Sequence, residues 1–134
     1  MNTDPNAALV GRLCRYDELV EVGVGNRPGV AAGLADRGCR VTATDIRDRP
    51  VPDTVEFIRD DVTDPDPTVY RGVDAVYALN CPPELQRPLV DAATAADAAC
   101  LCTTLGGDPV VVDAASETLS DGTLFRLNTS GPTA

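Results

Sequence analysis

Leu19 to Asp45, LVEVGVGNRPGVAAGLADRGCRVTATD, carries three patterns in succession. Leu19, Val20 and Val22 form a short apolar run of the kind a buried parallel strand needs. Gly23 and Gly25 break that run, and glycine admits the tight or left-handed turns closed to other residues. Val30, Ala31, Leu34 and Ala35 then recur at helical spacing, with Gly38 placed to end the helix. From Arg40 to Asp45, Val41 and Ala43 alternate with Thr42 and Thr44, a second strand closed by an acidic residue.

Strand, glycine turn, helix and strand make half of a dinucleotide- or nucleoside-binding βαβ unit. The turn is expected to leave backbone N–H groups at the helix N-terminus free to face a ligand. Asp45, about 20 residues beyond the glycines, stands where a carboxylate accepts hydrogen bonds from ribose hydroxyls. The plainer alternative is a strand-to-helix turn with no ligand.

The rest of the composition sets bounds. The 134 residues suit one domain, 1–134, with residues 128–134 (NTSGPTA) as a loose tail. No apolar run approaches a membrane span, and MNTDPNAALVGRL lacks the basic start and apolar block of a signal peptide, so a cytoplasmic protein is expected. All 11 basic residues are Arg; Lys and His are absent, acidic residues number 21, and the net charge is -10. Such a surface repels itself at low salt and is relieved by screening, which reads as adaptation to a salt-rich cytoplasm such as that of halophilic archaea. It also weighs against nucleic-acid binding by simple electrostatics. Cys14, Cys39, Cys81, Cys100 and Cys102 form no CxxC pair and have no His to join them, so no metal site is expected. Cys100 and Cys102 alternate in a strand and share a face as small buried residues.

Outside the central unit, Ala7 to Tyr16 reads as a lead-in helix. Strands are expected at Val55–Ile58, Val73–Leu79, Leu101–Leu105 and Thr123–Leu127, with a helix from Glu84 to Ala99 whose first turn contains Pro88. Val110–Val112 reads as a short extra strand or a helix start, and DDVTDPDP (61 onward by its second Asp) as a turn-rich loop. Strands alternating with helices predict an α/β fold: a minimal, Rossmann-like, three-layer open sheet, mostly parallel, with helices on both faces. Ligands bind beyond the carboxyl ends of such strands. Gly23 and Gly25, Asp45, Asp60 and Asp61, and Asn80 to Glu84 all fall at those ends.

Two cofactors compete for this rim. In the dinucleotide fingerprint GxGxxG the third glycine would fall at Pro28; Gly29 comes one residue late. Glu21-x-Gly23-x-Gly25 instead resembles motif I of the class I S-adenosylmethionine-dependent methyltransferases. That resemblance implies Glu21, Gly23 and Gly25 beside the methionine part of the cofactor, Asp45 on the ribose, and Asp60 or Asp61 near the adenine amino group. A carboxylate suits both last roles, since it only accepts hydrogen bonds and both partners donate. The alternative is an NAD(P)-binding regulatory or sensor module, or a degenerate non-catalytic interaction domain. Arg27 stands where the methyltransferase motif continues with a third glycine. A cation there pairs with Glu21, or with the ligand's carboxylate, or fills the pocket.

Asn80-Cys81-Pro82-Pro83-Glu84 is similar to the Asn-Pro-Pro-Tyr loop of methyltransferases that modify amino groups, with Cys81 inserted and Glu84 in place of the aromatic. Asn80 and Glu84 are therefore the candidate catalytic residues, and Tyr77, Asp60 and Asp61 further candidates for moving a proton. The whole chain also resembles a small uncharacterised archaeal family of short Rossmann-like proteins, which shares the acidic–glycine first turn, the acidic second strand end and a Pro82-Pro83-Glu84-Leu85 segment. A nucleoside-type small molecule is the expected partner. Little chain is left over for recognising an acceptor, so a homodimer or a partner protein is expected to supply that site.

Overall fold

Side-chain alternation along the first strand decides what covers each face of the sheet. A computed structural model describes residues 5–127; the expected loose tail, 128–134, lies outside the described residues. The elements run α1 (Ala7–Leu13), β1 (Glu18–Val22), α2 (Gly29–Asp36), β2 (Arg40–Asp45), β3 (Glu56–Arg59), α3 (Pro67–Tyr70), β4 (Ala75–Ala78), α4 (Pro83–Ala95), β5 (Ala99–Cys102), β6 (Ala114–Leu119) and β7 (Gly122–Leu127). In β1, Leu19 joins an apolar cluster with Val10 and Leu13 of α1 and Val30, Ala31 and Leu34 of α2. Val20 and Val22 point the other way, into a cluster with Tyr70 of α3 and Leu89, Val90 and Ala93 of α4. Two helices on each side give the three layers.

The seven strands lie in the order β3-β2-β1-β4-β5-β7-β6. β3, β2, β1, β4 and β5 pair in parallel, and β7 runs antiparallel between β5 and β6. This is the Rossmann-like α/β sheet the sequence implies. Cys100 and Cys102 share the α4 face and are fully buried.

The structure corrects several boundaries. The strand expected at 101–105 is Ala99–Cys102, because register with β4 pairs Ala75 with Ala99 and Ala78 with Cys102. Residues 110–112 are neither strand nor helix. They are held as a loop by buried Gln86, whose side-chain amide donates to Pro109 O (3.0 Å) and whose oxygen accepts from Val111 N (2.7 Å). The extra strand lies just beyond, at β6. Its AASETL sequence is poor in β-branched and aromatic residues, and as an exposed edge paired only with β7 it shows no apolar alternation. The turn-rich loop also holds a short helix, α3, capped by Asp66, whose carboxylate accepts from Thr68 N. α4 stops at Ala95 and passes through Pro88 without breaking.

α1 lies close on α2 because Gly33 has no side chain: a Cβ there would meet Val10 Cγ2 at 2.8 Å. Arg12 then ties α1 to the far edge of the sheet. Its guanidinium donates twice to Glu117 of β6, at 2.7 and 3.1 Å, and packs over the Tyr16 ring. No helix among the described residues is long and apolar enough to cross a membrane.

Candidate functional site

From β1 the chain steps outward to β2 and β3, then returns to the other side of β1 as β4 and β5. Loops leaving β1 and β4 therefore diverge, and a crevice opens at their carboxyl ends. It holds about 650 Å³ and is lined by Glu21, the glycine turn, Arg27, Asn80, Thr103 and the N-terminal end of α1. Four residues singled out by sequence, Glu21, Gly23, Gly25 and Asn80, meet in it.

Glu21 is the last residue but one of β1 and is 1% exposed. Register places it beside Tyr77 of β4, and Tyr77 OH donates to Glu21 Oε1 at 2.7 Å. Burial pushes the Glu21 carboxyl from its ordinary 4.5 up to about 7, against the opposing pull of the tyrosine hydroxyl. Tyr77 itself is held well above its ordinary range by burial and by the neighbouring carboxylate. Tyr77 thus acts as the hydrogen-bond donor to Glu21. Of the alternatives for Arg27, the ion pair with Glu21 does not form: Arg27 is exposed, and the described ion pairs are Arg12–Glu117 and Arg49–Asp45. A non-glycine residue is tolerated at 27 because its φ is not positive, unlike Gly23 (72°) and Gly25 (58°).

The glycine end of the turn already spends its own N–H groups inside the protein. Gly23 N and Val24 N donate to Thr44 O, at 2.9 and 3.0 Å, and Gly25 N donates to Asp45 Oδ2 at 2.9 Å. The turn is stitched to the tip of β2, and an anion finds no cradle in these three donors.

Asp45 is not itself a lining residue but adjoins the crevice through the glycine turn that it holds. Besides Gly25 N, its carboxylate accepts from Arg47 N (3.0 Å) and faces Arg49 Nε at 3.4 Å. Burial alone would raise this carboxyl; the two N–H groups and the Arg49 guanidinium together hold it below its usual value. Arg49 reaches on to Asn26 Oδ1 (3.1 Å), so one guanidinium bridges the β2–β3 loop and the glycine turn. A guanidinium does lie over the acidic tip, but it belongs to Arg49, which sequence spacing did not single out. Its Nε is buried and lacks a well-formed hydrogen bond.

Asp60 and Asp61 are not brought into the crevice. Asp60 follows β3, its N–H bonded to Asp45 O, while its carboxylate accepts from Asp66 N (2.9 Å) and Tyr70 OH (3.3 Å). Asp61 is exposed and accepts from both the N–H and the hydroxyl of Thr63, which lower its pKa. Glu84 is exposed in the first turn of α4, outside the crevice. Asn80 occupies a left-handed conformation (φ 53°), with its N–H donated to Thr103 Oγ1 at 2.8 Å. Asn is among the few side chains that accept that backbone. Among the described residues no cluster of three or more Cys, Asp and Glu is arranged to hold a metal ion.

Residues 4–129 match the model of the Uncharacterised protein family (UPF0146). The chain belongs to the UPF0146 family. A UPF0146 protein of Halobacterium salinarum is 58% identical over 93% of this chain and 96% of its own length. Another, of Archaeoglobus fulgidus, is 42% identical over 68% of this chain and 70% of its own length. Among solved structures, a TehB-like SAM-dependent methyltransferase from Corynebacterium glutamicum superposes with a TM-score of 0.61 at 12% identity, over 93% of this chain and 86% of that one. A Burkholderia thailandensis 1,6-didemethyltoxoflavin-N1-methyltransferase with bound S-adenosylhomocysteine gives 0.54 at 21% identity, over 93% of this chain; this chain spans 60% of that protein's length. This chain thus has a methyltransferase-like fold.

Proposed function

We propose that this UPF0146 protein binds S-adenosylmethionine in the crevice between the β1 and β4 tips, and that methyl transfer is the chemistry the crevice supports. One observation carries the reading. The glycine turn has its N–H groups engaged inward with Thr44 and Asp45, while the ionisable group buried against the crevice is the acidic Glu21. A pyrophosphate would find those three donors taken and meet a carboxylate. A nucleoside whose charged end is positive meets attraction instead.

The residues fit such a ligand as follows. Glu21, braced by Tyr77, faces the cationic end. Asp45 retains acceptor capacity for a ribose, since a carboxylate offers about four lone-pair directions and its described contacts use three. Arg49 must share that carboxylate or swing aside. Asp60, tethered by backbone to Asp45, is the nearer of the two aspartates for an adenine amino group. When bound, S-adenosylmethionine supplies an electrophilic methyl group. The chain's contribution is alignment of an acceptor by Asn80 and Thr103, the kind of positioning that dominates when the nucleophile is already reactive. The acidic, lysine-free surface fits a salt-rich cytoplasm, in keeping with the Halobacterium relative. Arg49 beside Asp45 is the one feature favouring NADP instead, because an arginine at this strand tip suits a 2′-phosphate.

Thermal unfolding in concentrated potassium chloride, with S-adenosylmethionine, S-adenosylhomocysteine, NAD and NADP in turn, tests the reading. Ligand bound only to the native state raises the melting temperature. The first two are expected to stabilise and the dinucleotides to leave the midpoint in place. A shift with NADP alone would transfer the site to the dinucleotide, and none with any ligand would leave an interaction domain.

A further inference from the structure

A second, smaller hollow adjoins the crevice. It holds about 240 Å³ and lies between α1 and the tip of the β6–β7 hairpin, sharing Leu9, Asn80 and Thr103 with the larger space. Its two walls are fixed relative to one another by the Arg12–Glu117 pair, whose arginine side chain is only 9% exposed. Its volume falls below the ~300–1,000 Å³ typical of sites for drug-sized ligands, which suits a small molecule. Its lining divides by chemistry. Leu9 and Leu119 offer an apolar wall; Thr103, Thr123 and Asn80 can donate or accept hydrogen bonds, and the Asp121 carboxylate, at the exposed mouth, only accepts. No arginine lines it.

We propose that this hollow is an acceptor site for a small primary amine. An anion would meet Asp121 with no cation to offset it, on a chain of net charge -10. A neutral apolar molecule would bury hydroxyl and carboxylate groups against nothing. An amine bearing a short apolar body satisfies both walls, its N–H groups toward Asp121 and Asn80 and its carbon skeleton against Leu9 and Leu119. Asn80 lines both spaces, and its strained backbone is pinned by Thr103, so its amide stands where the amine and a ligand in the crevice would meet. The acceptor site expected from a partner or second copy is then built from this chain's own hairpin. The role as acceptor rests on the crevice holding S-adenosylmethionine; the amine site itself does not.

Amide chemical shifts of the full-length, ¹⁵N-labelled protein test it, at the lowest salt that keeps the fold. Benzylamine, benzyl alcohol and benzoate serve as isosteric probes, and S-adenosylhomocysteine probes the crevice separately. Benzylamine is expected to move the amides of Thr104, Gly122 and Thr123 saturably, with benzoate moving none of them. Asp121→Asn should weaken benzylamine at least fivefold while leaving the S-adenosylhomocysteine shifts at Val24 and Gly25 unchanged. Ala8→Leu, which fills the hollow from the helix side, should abolish benzylamine binding without altering the hairpin's turn. Equal binding of benzoate, or an unchanged affinity in both variants, overturns the proposal. If S-adenosylhomocysteine binds and benzylamine does not, the amine site fails and the crevice reading stands. If benzylamine binds at the hairpin and S-adenosylhomocysteine does not, the amine site stands and the crevice reading fails.

Discussion

Glu21 and Asp45 stand near the tips of adjacent parallel strands, yet the protein treats them oppositely. Glu21 is sealed in with one neutral donor, Tyr77, and desolvation raises its pKa to about 7. Asp45 lies nearer the surface with two backbone N–H groups and a guanidinium, and its pKa falls. Acidity at a strand tip therefore does not define a role. The number and charge of the donors do. A floor carboxylate poised near neutrality can respond to a cation, whereas a rim carboxylate held ionised is a brace that keeps the glycine turn shut against β2.

The largest effect should come from Glu21→Gln, which keeps the shape and the Tyr77 contact. A carboxyl raised in the folded state contributes stability fully present below its unfolded pKa, near 4.5, and lost as pH rises through about 7. The wild type should therefore lose stability relative to the variant between those values. At pH 8 the variant should be the more stable by on the order of 3 kcal/mol, since each pKa unit corresponds to about 1.4 kcal/mol. Urea unfolding of both proteins at pH 5 and pH 8, in the same salt, measures the difference; parallel curves would remove the contrast between floor and rim.

Asp45→Ala should act in the opposite sense. It leaves Gly25 N and Arg47 N without their acceptor and should destabilise by roughly 2 kcal/mol at pH 7, the scale of orphaned donors. A depressed carboxylate gives stability present above its unfolded pKa and lost as pH falls through the folded one, so this loss should shrink under acid conditions. The same variant should abolish the S-adenosylhomocysteine-induced rise in melting temperature; an undiminished rise would detach Asp45 from the ligand.

Arg49→Ala removes the guanidinium that sits on Asp45 and not on Glu21. The Arg49–Asp45 pair is partly buried but loose, at 3.4 Å, and is worth up to about 1 kcal/mol, so the baring of Asp45 should tighten S-adenosylhomocysteine up to about fivefold by calorimetry. Weakened binding would mean that Arg49 contacts the ligand directly. Smallest of all, Asp61→Ala should leave both the urea midpoint and the ligand affinity by calorimetry unchanged, because its contacts are confined to an exposed turn with Thr63.

The parallel half of the fold was legible because its signals are local: the apolar run of β1, the paired glycines and the alternation of β2 each act within a few residues. Of the hairpin only β7 was legible, as the strand expected at Thr123–Leu127. β6 is an exposed edge whose pairing with β7 alone makes it a strand, and the valines at 110–112 that imitate one are held as loop by Gln86. Likewise Glu21, Gly23, Gly25 and Asn80 were identifiable as residues of one rim, while the Arg49 bridge was hidden, because an arginine among eleven carries no mark of where it will reach.

By itself, the sequence determined the βαβ core, the acidic character and the strand tips at which a ligand would be met, since hydrophobic period and glycine placement are properties of neighbouring residues. Only the tertiary structure decided that the turn's donors face inward, that Tyr77 rather than Arg27 partners Glu21, and that α1 and the hairpin enclose a second hollow. Those outcomes depend on strand register and on contacts across more than 50 residues of chain for Glu21 and Tyr77, and across 105 for Arg12 and Glu117. No local pattern encodes such separations, because the free energy that selects them exists only once the sheet has assembled.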